Sequence, residues 1–288
     1  MNCLGGTCME IHQIALPFIT NYQPTKDYYE EYFKRHEDIF TYYFERHCRN
    51  KEEKLEHALQ RHPKKLLKMK AICEVMPQMI HSVALAYEAR YPIKLTKDIY
   101  IIVGLNGSNA YTYRAMDPEI TFCVEKLSSD ETALKTIIAH EFGHAVHHLL
   151  AIRANIEAAK IPWMSPYTWL LQEGSATYLS TQVVQADEDV YFAYEKDEAW
   201  LTFCKENEKE IARALHQDLV NKSAVEIFKE WFSINGGEKF GYTRLGYYIG
   251  YQLFIHLMEN TNEMNALTFW QSPHFEKLME QALVQLEK

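Results

Sequence analysis

The chain has 288 residues, 47% hydrophobic and 24% charged, which is enough apolar material to bury a full core in one large domain or two modest ones. Its net charge of −9 argues against a nucleic-acid partner, which would need a basic face to displace counterions from phosphates. Six scattered cysteines (Cys3, Cys8, Cys48, Cys73, Cys123, Cys204) form no CxxC pair, so neither a zinc knuckle nor a disulfide framework is expected, and a reduced, cytoplasmic setting fits.

The opening MNCLGGTCMEIHQIALPF lacks a basic n-region followed by a long apolar run, and no stretch offers about 18 consecutive apolar residues. The expectation is no export and no membrane span. From Thr25 to Arg90 the chain contains no glycine and only Pro63 and Pro77, and it reads as several helices. Its one dense basic run, RHPKKLLKMK, is interrupted by Leu66, Leu67 and Met69 and reads as a solvated helix face.

The character changes at residue 96. IYIIVGL is a β-rich run, NGSN a turn, AYTYRA and EITFCVE further strands, and MDPE between them is turn chemistry. Beyond Ser128 the pattern is again helical, broken at IPWMSP, SINGG and QSPH. The fold class is therefore α+β, mostly α. An N-terminal helical segment covers 1–95. A second segment, 96–288, holds a small sheet at 97–125, helices at 128–150 and 170–185, and further helices to its end.

The stretch IIAHEFGHAVHHLL carries the chemistry. Ser128 and Glu131 form a capping-box signature for its helix, with Asp130 and Glu131 suited to the positive end of the dipole. At about 100° per residue His140, Glu141, His144, His147 and His148 share one arc, for chemistry or solvent, while Ile138, Phe142, Val146, Leu149 and Leu150 face the core. His140 and His144, one turn apart, can hold one tetrahedral ion, and Glu141 beside them can act as general base toward a water there. His147 and His148 are read as lining the site or packing, not as ligands.

A catalytic zinc takes three protein ligands. The HExxHxxGxxH continuation is excluded, because His147 and Leu150 stand where it needs glycine and histidine. The other common source is a glutamate from a following helix, and Glu173 in WLLQEGSATYLS supplies it, followed by Gly174, Ser175 and Ala176, which allow close helix approach. Gly143, costing about 1 kcal/mol inside a helix, points to the same close packing.

HEFGHAVHHL with the downstream EGSA resembles the glutamate-zincin metallopeptidases. LLQEGSA is similar to the WLxEGxA run of their aminopeptidase branch, with Leu170 in place of tryptophan. HEFGHAVH resembles the HEFGHxxH of oligopeptidases, and GYTRLGYYIGYQLF is similar to their tyrosine-rich segment. The set HExxH, EGxA and GYxxGY also resembles predicted bacterial zinc-dependent proteases of comparable size. The similarity spans residues 99 to 260 at most. It implies a zincin-like catalytic core in 96–288, Zn2+ as cofactor held by His140, His144 and Glu173, Glu141 as base, and a peptide or protein substrate.

It also implies a tyrosine that stabilises the oxyanion. Tyr247 or Tyr251 is the expected donor, with Tyr242 in reserve; the sequence leaves the choice among Tyr242, Tyr247, Tyr248 and Tyr251 open. In related folds an edge strand precedes the histidine helix, so Thr121 to Val124 are expected to pair with an extended substrate. The aminopeptidase GxMEN motif is absent from LNGSNAYTY, so exopeptidase action is not implied. A zinc amide hydrolase acting on a small molecule, and a helical interaction protein with a vestigial zincin site, are the alternatives.

Overall fold

A sheet of four short strands crosses the boundary at residue 95. The computed structural model describes residues 9–113 and 118–288. Strand β1 (Ile11–Gln13) opens the chain and is followed by helices α1 (Ala15–Thr20), α2 (Lys26–Arg35), α3 (Glu37–Arg46), α4 (Lys51–Arg61) and α5 (Leu66–Arg90). Strands β2 (Ile99–Ile102), β3 (Ala110–Thr112) and β4 (Ile120–Cys123) come next. The sheet order is β1-β2-β4-β3, with β1–β2 and β2–β4 parallel and β3 antiparallel to β4. Strand β1 has no alternating pattern; its pairing with β2 comes from tertiary closure.

The order corrects the expectation for Thr121 to Val124. Strand β4 is interior, hydrogen-bonded on both sides and buried at all four residues, and Val124 already opens a 3₁₀ turn. Its continuous ITFC run is that of a strand covered on both faces. The edge that lies beside the histidine helix is β3. Of the strand expected over AYTYRA, β3 accounts for 110–112, while Arg114 and Ala115, with Met116 and Asp117 of the expected turn, lie outside the described residues, as do Cys3 and Cys8.

Helix α6 (Glu131–Arg153) carries the histidines. Its N-cap is Asp130, whose carboxylate accepts from the Ala133 amide at 2.8 Å, while Ser128 Oγ accepts from the Asp130 amide at 3.1 Å. The expected Ser128 capping box therefore gives way to a charged cap two residues on, a stronger acceptor for the orphan amides of the first turn. Helix α6 is buried nearly all round, which also corrects the two-faced reading: His147 and His148 are 0% and 2% exposed. His147 stacks on Trp270 at 4.2 Å and meets Ser175 Oγ at 2.7 Å, and the His148 ring lies 5.5 Å from Trp163.

Helices α7 (Pro166–Thr181), α8 (Glu188–Ala193), α9 (Glu198–Glu206), α10 (Glu208–Asn221), α11 (Ala224–Ile227), α12 (Leu245–Asn260), α13 (Glu263–Leu267) and α14 (Phe275–Leu286) complete the fold. Two glycine contacts set its centre. A Cβ on Gly143 would stand 2.9 Å from the Ala176 carbonyl oxygen, and one on Gly174 would overlap the Gly250 carbonyl. Helices α6, α7 and α12 thus pass nearly backbone to backbone. Tyr87 of α5 donates to the Ala139 carbonyl of α6 at 2.8 Å, and one cluster of buried side chains runs from Ala15 to Leu283. No described helix is long and apolar enough to cross a membrane.

Candidate metal centre

His140 and His144 project from successive turns of α6, their rings 4.8 Å apart and nearly perpendicular. Glu173 faces them from the middle of α7. Its Oε2 lies 3.2 Å from His140 Nε2 and 3.6 Å from His144 Nε2. One ligand atom from each residue falls within 4.8 Å of the others.

These separations are those of donors to one small ion. Ligand atoms about 2.0–2.2 Å from a tetrahedral zinc stand roughly 3.4 Å apart. Two imidazole nitrogens and one carboxylate oxygen also form the donor set of an open catalytic zinc site. The donors therefore fit the metal. Burial pushes the Glu173 carboxyl up, but the His144 and His140 imidazoles outweigh it and hold the group well below the usual carboxylate range. The side chains are 2%, 14% and 20% exposed, so the centre opens on the His144 and Glu173 side.

Glu141 follows the first histidine and is 8% exposed. Thr112 of β3 donates to its Oε2 at 2.7 Å and to its carbonyl at 3.2 Å, which sets the carboxylate's direction. Nothing in AYTYRA singles out that threonine.

The tyrosines separate. The Tyr247 ring stacks against His140 at 6.2 Å. Burial first, then the Glu173 and Glu141 carboxylates, push its phenol well above the ordinary value, with Arg244 opposing. Tyr251 instead meets Phe192 edge-on at 5.5 Å, Tyr248 donates to Glu208 at 2.7 Å, and Tyr242 stacks on Phe203 at 4.4 Å.

Sequence reasoning missed Tyr194. It caps α8 in the left-handed conformation (φ 57°), and its ring lies 5.3 Å from His140. Burial, then Tyr247, Glu173 and Glu141, raise its phenol well above the usual value. VYFAYEKDE carries no signal for this; the only cue is a backbone conformation that non-glycine residues seldom adopt.

Around the donor set, His140 Nδ1 and Thr177 Oγ1 are buried without a hydrogen-bond partner among the described residues. Burial, reinforced by His148 and His144, keeps His147 neutral, its pKa well below the usual imidazole value.

No curated protein and no solved structure matches the chain. A family model does, over residues 18–268, which takes in α2 to α13 and the whole donor set. With two histidines and a glutamate converging as zinc ligands do, the chain belongs to the family described as "Putative zinc dependent peptidase (DUF5700)".

Proposed function

We propose that the chain hydrolyses peptide bonds as a zinc-dependent peptidase of the glutamate-zincin kind, with His140, His144 and Glu173 as the metal ligands and Glu141 as general base. The observation that carries this reading is the Thr112–Glu141 hydrogen bond beside the convergent donor set. A purely structural zinc site has no use for an oriented free carboxylate next to its ligands. Zinc bound there would supply Lewis acidity and bring the pKa of water near neutrality.

The chain's own groups do the rest. Glu141 Oε takes a proton from the attacking water and passes it to the nitrogen of the leaving amine. Tyr247 and Tyr194, kept protonated by burial and by the two carboxylates, are the available donors to the developing oxyanion.

Strand β3 orients the substrate. Asn109 and Tyr113 hydrogen-bond toward β4, so by antiparallel alternation the Thr112 amide and carbonyl turn to the open edge. An extended peptide pairing there would lie alongside the residue that fixes Glu141.

Elemental analysis with a peptide-library assay tests the reading. About one zinc per chain, lost in Glu173→Ala, with cleavage abolished in a still-metallated Glu141→Gln, is the expected outcome. A wild type that holds zinc but leaves every peptide intact would overturn it.

A further inference from the structure

Six described residues other than glycine have left-handed backbones: Asn50, Asn106, Asn155, Tyr194, Arg244 and His274. Asparagine tolerates that region; tyrosine and arginine gain nothing local from it. Such strain persists where the surrounding structure demands it, and it clusters at functional sites. Tyr194 lies against a ligand histidine. Arg244 (φ 61°, ψ 26°) immediately precedes α12, three residues before Tyr247, whose amide donates to the Arg244 carbonyl at 3.1 Å.

Arg244 also has no counter-ion among the described residues. Its side chain makes no hydrogen bond or ion pair to any described residue, and its Nε is buried without a partner while the rest of the side chain stays partly open. A guanidinium in that position costs free energy unless something pairs with it. The nearby carboxylates are engaged elsewhere, Glu173 with His140 and His144, Glu141 with Thr112. The Arg244 carbonyl accepts from the Tyr247 amide, and the Tyr247 ring stands 6.2 Å from His140, so Arg244 lies one turn before a residue of the same centre. Lys126 is already engaged, donating to the Gly107 carbonyl at 2.9 Å.

We propose that Arg244 is a specificity-determining residue that receives a carboxylate of the peptide substrate in its guanidinium fork beside Tyr247. The inference rests on the peptidase reading and deepens it. A planar fork matches a carboxylate with two parallel hydrogen bonds, and a peptide carries carboxylates of two kinds, its C-terminus and its Asp or Glu side chains. Either would meet a cation that no described residue pairs, so binding supplies a partner instead of displacing one.

The test uses four fluorescein-labelled heptapeptides of one sequence, with a free or amidated C-terminus and with glutamate or glutamine at one internal position. Binding to the metal-free protein is read by anisotropy, and turnover by the zinc-loaded protein gives KM and kcat separately. In wild type a carboxylate improves Kd and KM by roughly 10- to 100-fold over its amide. The pair showing the effect identifies the C-terminal or the side-chain source. In Arg244→Gln and Arg244→Gly the ratio falls to about one. Arg244→Gly removes the left-handed strain, so its Tm should hold or rise, which separates lost recognition from lost fold.

A wild type that cleaves all four peptides without preferring any carboxylate overturns the assignment of Arg244 and leaves the peptidase standing. Variants that fold and keep the full preference overturn it equally. If no peptide is bound or cleaved by folded, zinc-loaded wild type, both readings fall.

Discussion

Thr112 Oγ1 lies 2.7 Å from Glu141 Oε2 and 3.2 Å from the Glu141 carbonyl, so one hydroxyl ties the edge strand to the helix that carries His140 and His144. In the proposed mechanism the substrate edge and the general base are thereby set by a single residue. Thr112→Val keeps the side-chain shape and removes both bonds. It should cost about 1 kcal/mol of stability and lower kcat several-fold, with zinc content unchanged. Denaturant unfolding, metal analysis and steady-state kinetics check it; a kcat equal to wild type would remove Thr112 from the site.

The two phenols near His140 can be separated by rate. Removing an oxyanion donor lowers kcat by roughly 100- to 1,000-fold with little change in KM. Tyr247→Phe and Tyr194→Phe should each lower kcat, the true donor by that amount. Tyr251→Phe, directed at Phe192, should do much less. If Tyr251→Phe had the largest effect, the assignment by ring position would be wrong.

Gly174→Ala probes the contact between α7 and α12. The new methyl meets the Gly250 carbonyl, a main-chain atom that cannot turn aside. Overpacking of this kind typically costs 1–3 kcal/mol or more. Because Glu173 is the adjacent residue, zinc affinity should fall along with stability. A variant with wild-type Tm and metal content would show that the helices yield there.

Acid sensitivity should have a second source away from the metal. His62 is fully buried between the Tyr29 hydroxyl and the Asn106 amide, and burial, with Lys65 adding to it, lowers its pKa to about 4. The unfolded chain takes up that proton near pH 6.5, well before the folded one. The stability His62 contributes is therefore complete above pH 6.5 and is lost as the pH falls toward 4, by roughly 3 kcal/mol. His62→Gln should flatten unfolding free energy against pH in that window; an unchanged slope would count against the assignment.

What the sequence made legible follows from how each feature is encoded. His140 and His144 are one helical turn apart, and the small residues after Glu173 announce a close approach, so their convergence could be read from two local patterns. Thr112 and Tyr194 come beside the donor set only through chain closure, from a strand edge and a helix end with no local period, and the residues around Arg244 carry no local signal either. Strand β4 was misplaced at an edge because an apolar run of four does not say how many neighbours it has. His147 and His148 fell on the right arc of α6, yet Trp163 and Trp270 cover them from segments more than ten residues away in sequence. The Ser128 cap gives way because the helix starts at Glu131, where Asp130 accepts from the Ala133 amide and Ser128 reaches only the Asp130 amide.

The Gly174–Gly250 contact also bears on how the molecule fails under heat. Main chains held against each other leave no layer of side chains to soften first, so the spacing between Glu173 and the tyrosine-bearing helix cannot drift gradually. Inactivation and unfolding should then coincide in one step, with no warm, folded, inactive form between them.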